Sequence, residues 1–83
     1  MDYVARTPEQ LGQILRGSRK RLALTQQAAA NKVGLKQATV SAVENDASGT
    51  SVQTLYKLLS ALGLELVLRD ASMVRDASTS REW

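Results

Sequence analysis

The chain has 83 residues, of which 43% are hydrophobic, so it forms at most one small domain with a thin core. It contains no cysteine and no histidine, which excludes disulfides and thiolate metal sites and removes the commonest general base. No apolar run is long enough to span a membrane, and the N-terminus lacks a signal-peptide pattern. The composition therefore predicts a cytoplasmic protein with no metal and no other cofactor.

The net charge of +3 is unevenly distributed along the chain. Residues 1–45 carry seven Lys and Arg against three Asp and Glu, whereas residues 46–83 carry four against five. A basic half of this kind favours a surface that faces phosphates, as in nucleic-acid binding. An ordinary solvated surface is the alternative, because many basic domains bind no nucleic acid.

The first helix is predicted from Pro8 to about Leu22, after an N-terminal arm of residues 1–6 without a clear pattern. Thr7 is suited to cap this helix, and Gln10 completes a capping box. Its apolar residues recur at helical spacing at Leu11, Ile14, Leu15 and Leu22. This pattern indicates an amphipathic helix with one face in the core.

Two further helices are predicted to meet at Gly34. Thr25 is an N-cap for the second helix, and Gly34 supplies the left-handed conformation that ends it. The third helix is predicted from Lys36 or Gln37 to Asn45, with two branched apolar residues facing inward, Val40 and Val43. Two short helices joined in this way are the sequence form of a helix-turn-helix, whose second helix commonly enters the DNA major groove.

Residues 46–49 form a loop by composition, and Thr50 with Gln53 is a second capping box that opens a fourth helix. Gly63 ends this helix. Its apolar stripe consists of Val52, Leu55, Leu58, Leu59 and Leu62.

Residues 64–70 change the period from helical to alternating, since Leu64, Leu66 and Leu68 are separated by single residues. A lone strand leaves its backbone groups without partners. Pairing with the same segment of a second copy would satisfy them, so the pattern predicts a homodimer. An extended tail that packs on its own domain is the alternative.

Residues 71–83 are small, polar and charged, and they are predicted to form a flexible tail. Trp83 is the only tryptophan of the chain, so it is a candidate anchor for a pocket on a partner. An incidental exposed aromatic is the alternative.

Residues 19–63 resemble the lambda-repressor-like, Xre-type helix-turn-helix family at Gln26, Ala30, Gly34, Val40, Ser41, Glu44 and Asn45. Nearly the whole chain is similar to the HipB-type antitoxins of that family, in GLKQATVSAVEN, in LSALGLELVLRD and in the closing Glu82-Trp83. The resemblance implies an all-α bundle of four to five helices. Residues 7–63 would form the DNA-binding domain, and a C-terminal strand would pair across a homodimer.

The resemblance also implies a function. Such antitoxins are dimers that bind palindromic operator DNA, repress their own operon and neutralise a HipA-type serine/threonine kinase toxin. The strand at Leu64, Leu66 and Leu68 is then implied to form a small β lid between two copies, and Trp83 to dock on the toxin. A nucleoid-associated bacterial protein is the location that this implies.

The start of the third helix is expected to read DNA bases. Lys36 can donate to the O6 and N7 of guanine, Gln37 matches the N6 and N7 of adenine, and Ala38 is small enough to touch a thymine methyl group. Free backbone N–H groups in the first turn of the second helix attract phosphate. The remaining predicted DNA contacts are Gln26, Gln27, Thr39 and Ser41; solvent exposure without a DNA role is the alternative for each.

Arg19 and Glu44 each follow a core position by one helical step, and the family resemblance implies a partly buried ion pair between them.

Two positions depart from the family. Ala23 stands where many members have glycine, which implies either a less strained turn or a cost of about 1 kcal/mol for a left-handed alanine. Lys36 stands where many members have a capping Ser or Thr.

Three other functions compete with that of an antitoxin. A stand-alone repressor of phage or plasmid type would have the same DNA-binding half but no toxin partner. A protein-interaction module that reuses the fold would show no salt-sensitive DNA binding. An enzyme is the least supported class, since the sequence has no glycine-rich phosphate loop and no clustered carboxylates.

Overall fold

The computed structural model describes residues 1–71, and it confirms the predicted all-α, helix-turn-helix architecture. Most of the predicted tail, including Trp83, lies outside the described residues. The helices are α1 (Pro8–Arg21), α2 (Gln26–Lys32), α3 (Gln37–Asn45) and α4 (Val52–Ala61), with a 3₁₀ turn at Ala47–Gly49.

Hydroxyl side chains begin the first two helices, as the sequence predicts. The Thr7 hydroxyl accepts a hydrogen bond from the Gln10 N–H at 3.1 Å, and the Thr25 hydroxyl accepts one from the Ala28 N–H at 2.9 Å. The Gln10 side chain completes the first cap by accepting from the Arg6 N–H at 2.6 Å, one residue before the usual position. These bonds satisfy backbone donors that have no partner within the helix.

The predicted start of α4 is wrong by one residue. Ser51 rather than Thr50 caps the helix, because the Ser51 hydroxyl accepts from the Thr54 N–H at 3.0 Å. The predicted loop is instead a 3₁₀ turn, in which the Asp46 carboxylate accepts from the Ser48 N–H at 2.8 Å. The Thr50 N–H closes that turn on the Ala47 carbonyl, so Thr50 belongs to the turn and not to α4.

The core forms between all four helices, and its buried members are Leu15, Ala30, Val40, Val43, Leu58, Leu59 and Leu62. The two inward-facing valines of α3 are confirmed. Two predicted members of the apolar stripes are wrong, since Leu22 is 52% exposed and Val52 is 67% exposed. Leu22 follows the last residue of α1 and Val52 is the first residue of α4, so both lie at helix ends.

Gly12 allows α1 to lie directly against the end of α3. A Cβ atom at this position would lie 2.6 Å from the carbonyl oxygens of both Val43 and Glu44. Real Cβ atoms essentially never approach backbone oxygen so closely. Glycine is therefore required here for space, not for an unusual backbone conformation.

An ion pair between Arg19 of α1 and Glu44 of α3 lies within this contact. The Arg19 Nε donates to Glu44 Oε2 at 2.6 Å, and Nη2 donates to Oε1 at 3.1 Å. The third guanidinium nitrogen, Nη1, donates to the Leu24 carbonyl at 2.8 Å. Hydrogen bonding to Glu44 is the main reason why the pKa of Arg19 is raised above its ordinary value, although burial opposes the shift. The pair that the family resemblance implied is thus a buried, bidentate contact.

The turn between α1 and α2 keeps the left-handed backbone of the family's glycine, although the residue is alanine. Ala23 has a φ of +58°, and it is the only residue other than glycine with a positive φ among residues 1–71. An L-residue in this region brings its Cβ close to the following carbonyl oxygen. Of the two turns expected at Ala23, the structure therefore has the one with a strained, left-handed alanine.

Residues 64–70 form neither helix nor strand in the single chain. Leu64 packs against the core, whereas Leu66 is 47% exposed and Leu68 is 90% exposed. The predicted strand requires a second copy, so it stays a prediction. None of the helices within residues 1–71 is long and apolar enough to cross a membrane.

Gly12 and Gly17, both in α1, should respond to alanine in opposite directions. We expect Gly12→Ala to lower the free energy of unfolding by about 1–3 kcal/mol, because its methyl group must displace the α3 backbone. At Gly17, no atom lies within 4 Å of the position that an added methyl group would occupy. Gly17→Ala should raise the free energy of unfolding by about 0.5–1 kcal/mol through helix propensity alone. Urea titration followed by circular dichroism measures both, and equal effects would contradict the close approach.

Ala23→Gly should stabilise the protein by about 0.5–1 kcal/mol, because relief of the left-handed strain exceeds the entropy that glycine adds to the unfolded chain. Thermal denaturation should show a rise of a few degrees. Gly34→Ala is the reciprocal control. Gly34 has a φ of +71° and open space around its Cβ position, so an added methyl group meets no atom. The left-handed strain should exceed the loss of unfolded-chain entropy, and Gly34→Ala should lower the melting temperature. A lower melting temperature for Ala23→Gly than for the wild type would show that the turn is not strained.

Candidate nucleic-acid interface

The turn at Gly34 brings α2 and α3 into close contact. The Leu35 N–H donates to the Ala30 carbonyl at 2.9 Å across the turn. Ala29 and Ala30 have no exposed surface, and Ala30 packs in the core with Val40 and Val43 of α3. The start of α3 is consequently held at the surface by a rigid bend.

The base-reading residues predicted on α3 lie on the side away from the core. Lys36, Gln37 and Ala38 are exposed, and Thr39 and Ser41 are half-buried. On the opposite side of the helix, Val40 and Val43 are 1% and 2% exposed. Lys36 is the N-cap residue, and its side chain makes no capping hydrogen bond. Its ammonium group is thus available to a ligand at the start of the helix.

The two glutamines predicted on α2 have different surroundings. Gln26 is half-buried, and its Oε1 accepts a hydrogen bond from Nε2 of Gln37. Gln27 is exposed, and its Nε2 donates to Oδ1 of Asn31 at 2.8 Å, one turn further along α2. The fold therefore brings Gln26 together with the start of α3 and leaves Gln27 on the surface of α2.

Gln26 links the exposed amide of Gln37 to the buried ion pair. Its Nε2 donates to Oε1 of Glu44 at 3.0 Å. A carboxylate only accepts hydrogen bonds, so Gln26 must direct its NH₂ group to Glu44 and its oxygen to Gln37. Gln37 must then direct its own NH₂ group to Gln26. Its Oε1 and its second N–H are left for a ligand, in a fixed orientation.

The sequence does not reveal this link, and it predicts only a phosphate contact for Gln26. Gln26 and Glu44 are 18 residues apart and lie on different helices. Their spacing carries no periodic signal, because contact depends on how α2 and α3 cross. The only feature of the sequence that could have indicated this hydrogen-bonded link is the presence of two glutamines and a glutamate around a predicted turn.

An open groove of about 550 Å³ separates α3 from the start of α4. Its polar lining consists of Thr39, Asp46, Thr50, Ser51 and Thr54. Hydroxyl groups can donate to phosphate oxygens. The Ser51 hydroxyl already donates to Thr54 Oγ1 at 3.0 Å, however, and the Asp46 carboxylate is bonded to the Ser48 N–H. The groove therefore continues the polar surface of α3 towards α4.

The candidate interface offers hydrogen-bonding groups and a positive charge to a ligand. Within the part of the chain that the structure describes, no group of three or more His, Cys, Asp or Glu side chains could hold a metal ion. An amide, an ammonium group, hydroxyls and methyl groups are the functional groups that α3 presents. These are the groups with which proteins read base edges in the major groove.

Comparison with known proteins gives the family. The helix-turn-helix family model HTH_3 matches residues 15–68. The antitoxin HipB of Escherichia coli strain K12 is 36% identical over 80 residues, which cover 93% of this chain and 91% of the relative.

Solved structures of HipB complexes are similar over the same length. A HipB–O4 20mer complex superposes with a TM-score of 0.80 at 36% identity, covering 84% of this chain and 99% of that chain. A HipA–HipB–O2–O3 complex gives a TM-score of 0.80 at 34% identity, again covering 84% and 99%. The chain therefore belongs to the helix-turn-helix family and, within it, to the HipB antitoxins.

Proposed function

We propose that this protein is an antitoxin and transcriptional autorepressor, which binds palindromic operator DNA as a homodimer and neutralises a HipA-type serine/threonine kinase toxin. The observation that carries the proposal is the exposed start of α3, with Lys36 and Gln37 side by side at a rigid turn. Relatives in complexes with DNA oligonucleotides and with HipA have the same fold, at 36% and 34% sequence identity.

Gln37 is proposed to read adenine. The hydrogen bonds from Glu44 through Gln26 leave its Oε1 and one N–H directed outward. Adenine presents an N6–H donor and an N7 acceptor in the major groove, which match these two groups. Because the amide is oriented before DNA arrives, binding costs less side-chain entropy.

The neighbouring residues are proposed to supply charge and positioning. Lys36 would donate to guanine or to phosphate from the N-cap of α3, and Ala38 would touch a base edge. Gln27 on α2, and Thr39 and Ser41 on α3, are proposed to contact the DNA backbone or base edges. Contacts to phosphate fix the register of a protein on DNA, and contacts to bases select the sequence.

A homodimer is proposed through residues 64–70. Leu66, Val67 and Leu68 are 47%, 73% and 90% exposed, so the segment has apolar surface that its own domain does not cover. Pairing with the same segment of a second copy would bury this surface and join the two backbones. Two recognition helices related by a two-fold axis would then face two half-sites of a palindrome.

The domain boundaries are part of the same proposal. Residues 1–6 form an N-terminal arm, residues 7–63 bind DNA, residues 64–70 hold the dimer together and residues 71–83 contact the toxin. Trp83, the only tryptophan, is proposed as the toxin anchor, since large aromatic side chains carry a disproportionate share of interface energy. The protein would act on DNA in the bacterial cytoplasm, without catalysis of its own.

A stand-alone repressor is the second reading, and it is less favoured. A plain repressor would share only the DNA-binding domain with HipB, whereas the similarity to the K12 antitoxin covers 93% of this chain. The segment after α4 is therefore included in the similarity. This extent supports a role that needs more than DNA binding.

Gln37→Ala should change which DNA the protein prefers. Selection from a random duplex library with the wild type should give a two-fold symmetric motif, with half-sites about one helical turn apart. Gln37→Ala should lose the preference for adenine at one position in each half-site and weaken binding of the selected duplex by about tenfold.

Gln13→Ala is the matched control, since Gln13 is an exposed glutamine on α1. It should select the same motif as the wild type. Lys36→Ala should instead reduce the slope of log affinity against log salt by about one, because an ammonium group releases a counterion. An unchanged motif for Gln37→Ala would remove Gln37 from base reading.

Trp83→Ala should weaken binding to the toxin without affecting DNA. We expect a HipA-type kinase to be encoded beside this gene and to bind the wild-type antitoxin, and we expect Trp83→Ala to bind it at least about 30-fold more weakly. Calorimetry with the purified kinase measures this loss, and affinity for the selected duplex is the internal control. Equal affinity of the two proteins for the kinase would locate the toxin contact elsewhere.

A further inference from the structure

The outward side of α1 carries a glycine that the folded domain does not require. Gly17 lies inside the helix, where glycine is less stable than alanine. Its φ is not positive, and no atom lies within 4 Å of the position that a Cβ would occupy. Gly12, which faces α3, is five residues earlier, and five residues turn a helix by about 140°. Gly17 therefore points away from α3, and only a molecule that approaches from outside would meet a side chain there.

Positive charge is concentrated around this glycine. Residues 1–21 contain five Lys and Arg but only two carboxylates, Asp2 and Glu9. Glu9 lies in the first turn of α1, far from the cations of the last two turns. The exposed cations beside Gly17 are Arg16, Lys20 and Arg21. An acidic surface would complement this end of the helix and would be attracted to it.

Arg21 is held in one orientation by the N-terminal arm. Its guanidinium carbon lies 5.1 Å from the centre of the Tyr3 ring, and its Nη2 donates to Ser18 Oγ at 3.1 Å. This hydrogen bond uses one of the five N–H donors of the side chain. Arginine binds a carboxylate through two parallel N–H groups, and a side chain that is already oriented loses less entropy on binding. Arg21 is thus prepared to bind a carboxylate.

Apolar surface adjoins these cations. Tyr3, Val4 and Leu22 are 37%, 48% and 52% exposed. Tyrosine and arginine are among the side chains that contribute most to protein–protein interfaces. Contacts to a DNA backbone are instead made mainly by charged and polar groups. The mixture of apolar, aromatic and cationic side chains therefore favours a protein partner.

We propose that this part of the molecule, the arm–helix surface, binds an acidic surface of the HipA-type kinase. The arm–helix surface consists of Tyr3, Val4, Gly17, Lys20, Arg21 and Leu22. Arg21 binds a carboxylate of the kinase, and the kinase approaches the backbone of α1 at Gly17. The inference rests on the proposed function, which supplies the kinase as the partner. Because Gly17 points away from α3, the kinase can bind here and leave the start of α3 to DNA.

An exposed glycine can also persist without a role, because a protein needs only enough stability to stay folded. That explanation predicts no change in binding when Gly17 is replaced. The two explanations are separated by variants of the full-length protein, whose affinity for the purified kinase is measured by calorimetry.

A longer side chain at Gly17 tests the close approach. Glutamine is a good helix former, so Gly17→Gln should stabilise the free protein in urea titration. The same change should weaken kinase binding by about tenfold, because the new side chain stands between the kinase and α1. Gly17→Ala adds only a methyl group and is the matched control, which should bind within about threefold of the wild type.

A neutral side chain at Arg21 tests the charge. Arg21→Gln should weaken kinase binding by about tenfold and make it less sensitive to salt. Arg21→Lys keeps the charge without the planar fork of donors, so it should recover only part of the loss. Lys32→Gln removes the same charge from the exposed end of α2, and it should change the affinity by less than about twofold.

Affinity for the selected duplex separates the two classes of partner. It should change by less than about twofold in Gly17→Gln and in Arg21→Gln. Kinase affinities equal to that of the wild type in both variants overturn the inference and leave the proposed function standing. A larger loss for the duplex than for the kinase also overturns it, and assigns this side of α1 to the DNA backbone. A wild-type protein that does not bind the kinase overturns the proposed neutralisation and this inference together.

Discussion

The buried pair of Arg19 and Glu44 is the interaction on which the rest of the structure depends. Burying two charges is costly unless each is paired and hydrogen-bonded. Here the three guanidinium nitrogens donate to Glu44 and to the Leu24 carbonyl, and Glu44 also accepts from Gln26. One pair of side chains thus joins α1, the turn after it, α2 and α3. Satisfying these charges therefore helps to hold α3 in place against α1 and α2.

Much of the fold follows from local chemistry, and the sequence predicted that part. Thr7, Thr25 and Gly34 have roles that depend on a few neighbouring residues, so their helix boundaries were found. The start of α4 was not found, because Thr50 and Ser51 are both good caps. The choice between them depends on the Asp46 turn, which places Thr50 before the helix.

The sequence predicted which residues of the candidate site are exposed, but it did not predict the hydrogen bonds that connect them to the buried ion pair. The outward position of Lys36 and Gln37 follows from helical spacing and from the valines on the opposite side. The contact between Gln26 and Glu44 depends on the crossing of two helices, which no spacing encodes. The DNA contacts and the pairing of residues 64–70 depend on a second molecule, so they stay predictions.

The close approach at Gly12 limits how such a protein can be regulated. A Cβ atom at Gly12 would lie 2.6 Å from two backbone carbonyl oxygens of α3, so α3 has little room to move closer to α1. In the proposed dimer, a signal from a second protein would therefore act less on the contact between α1 and α3 than on the distance and angle between the two domains. The proposed pairing segment, residues 64–70, would be the place of such an adjustment.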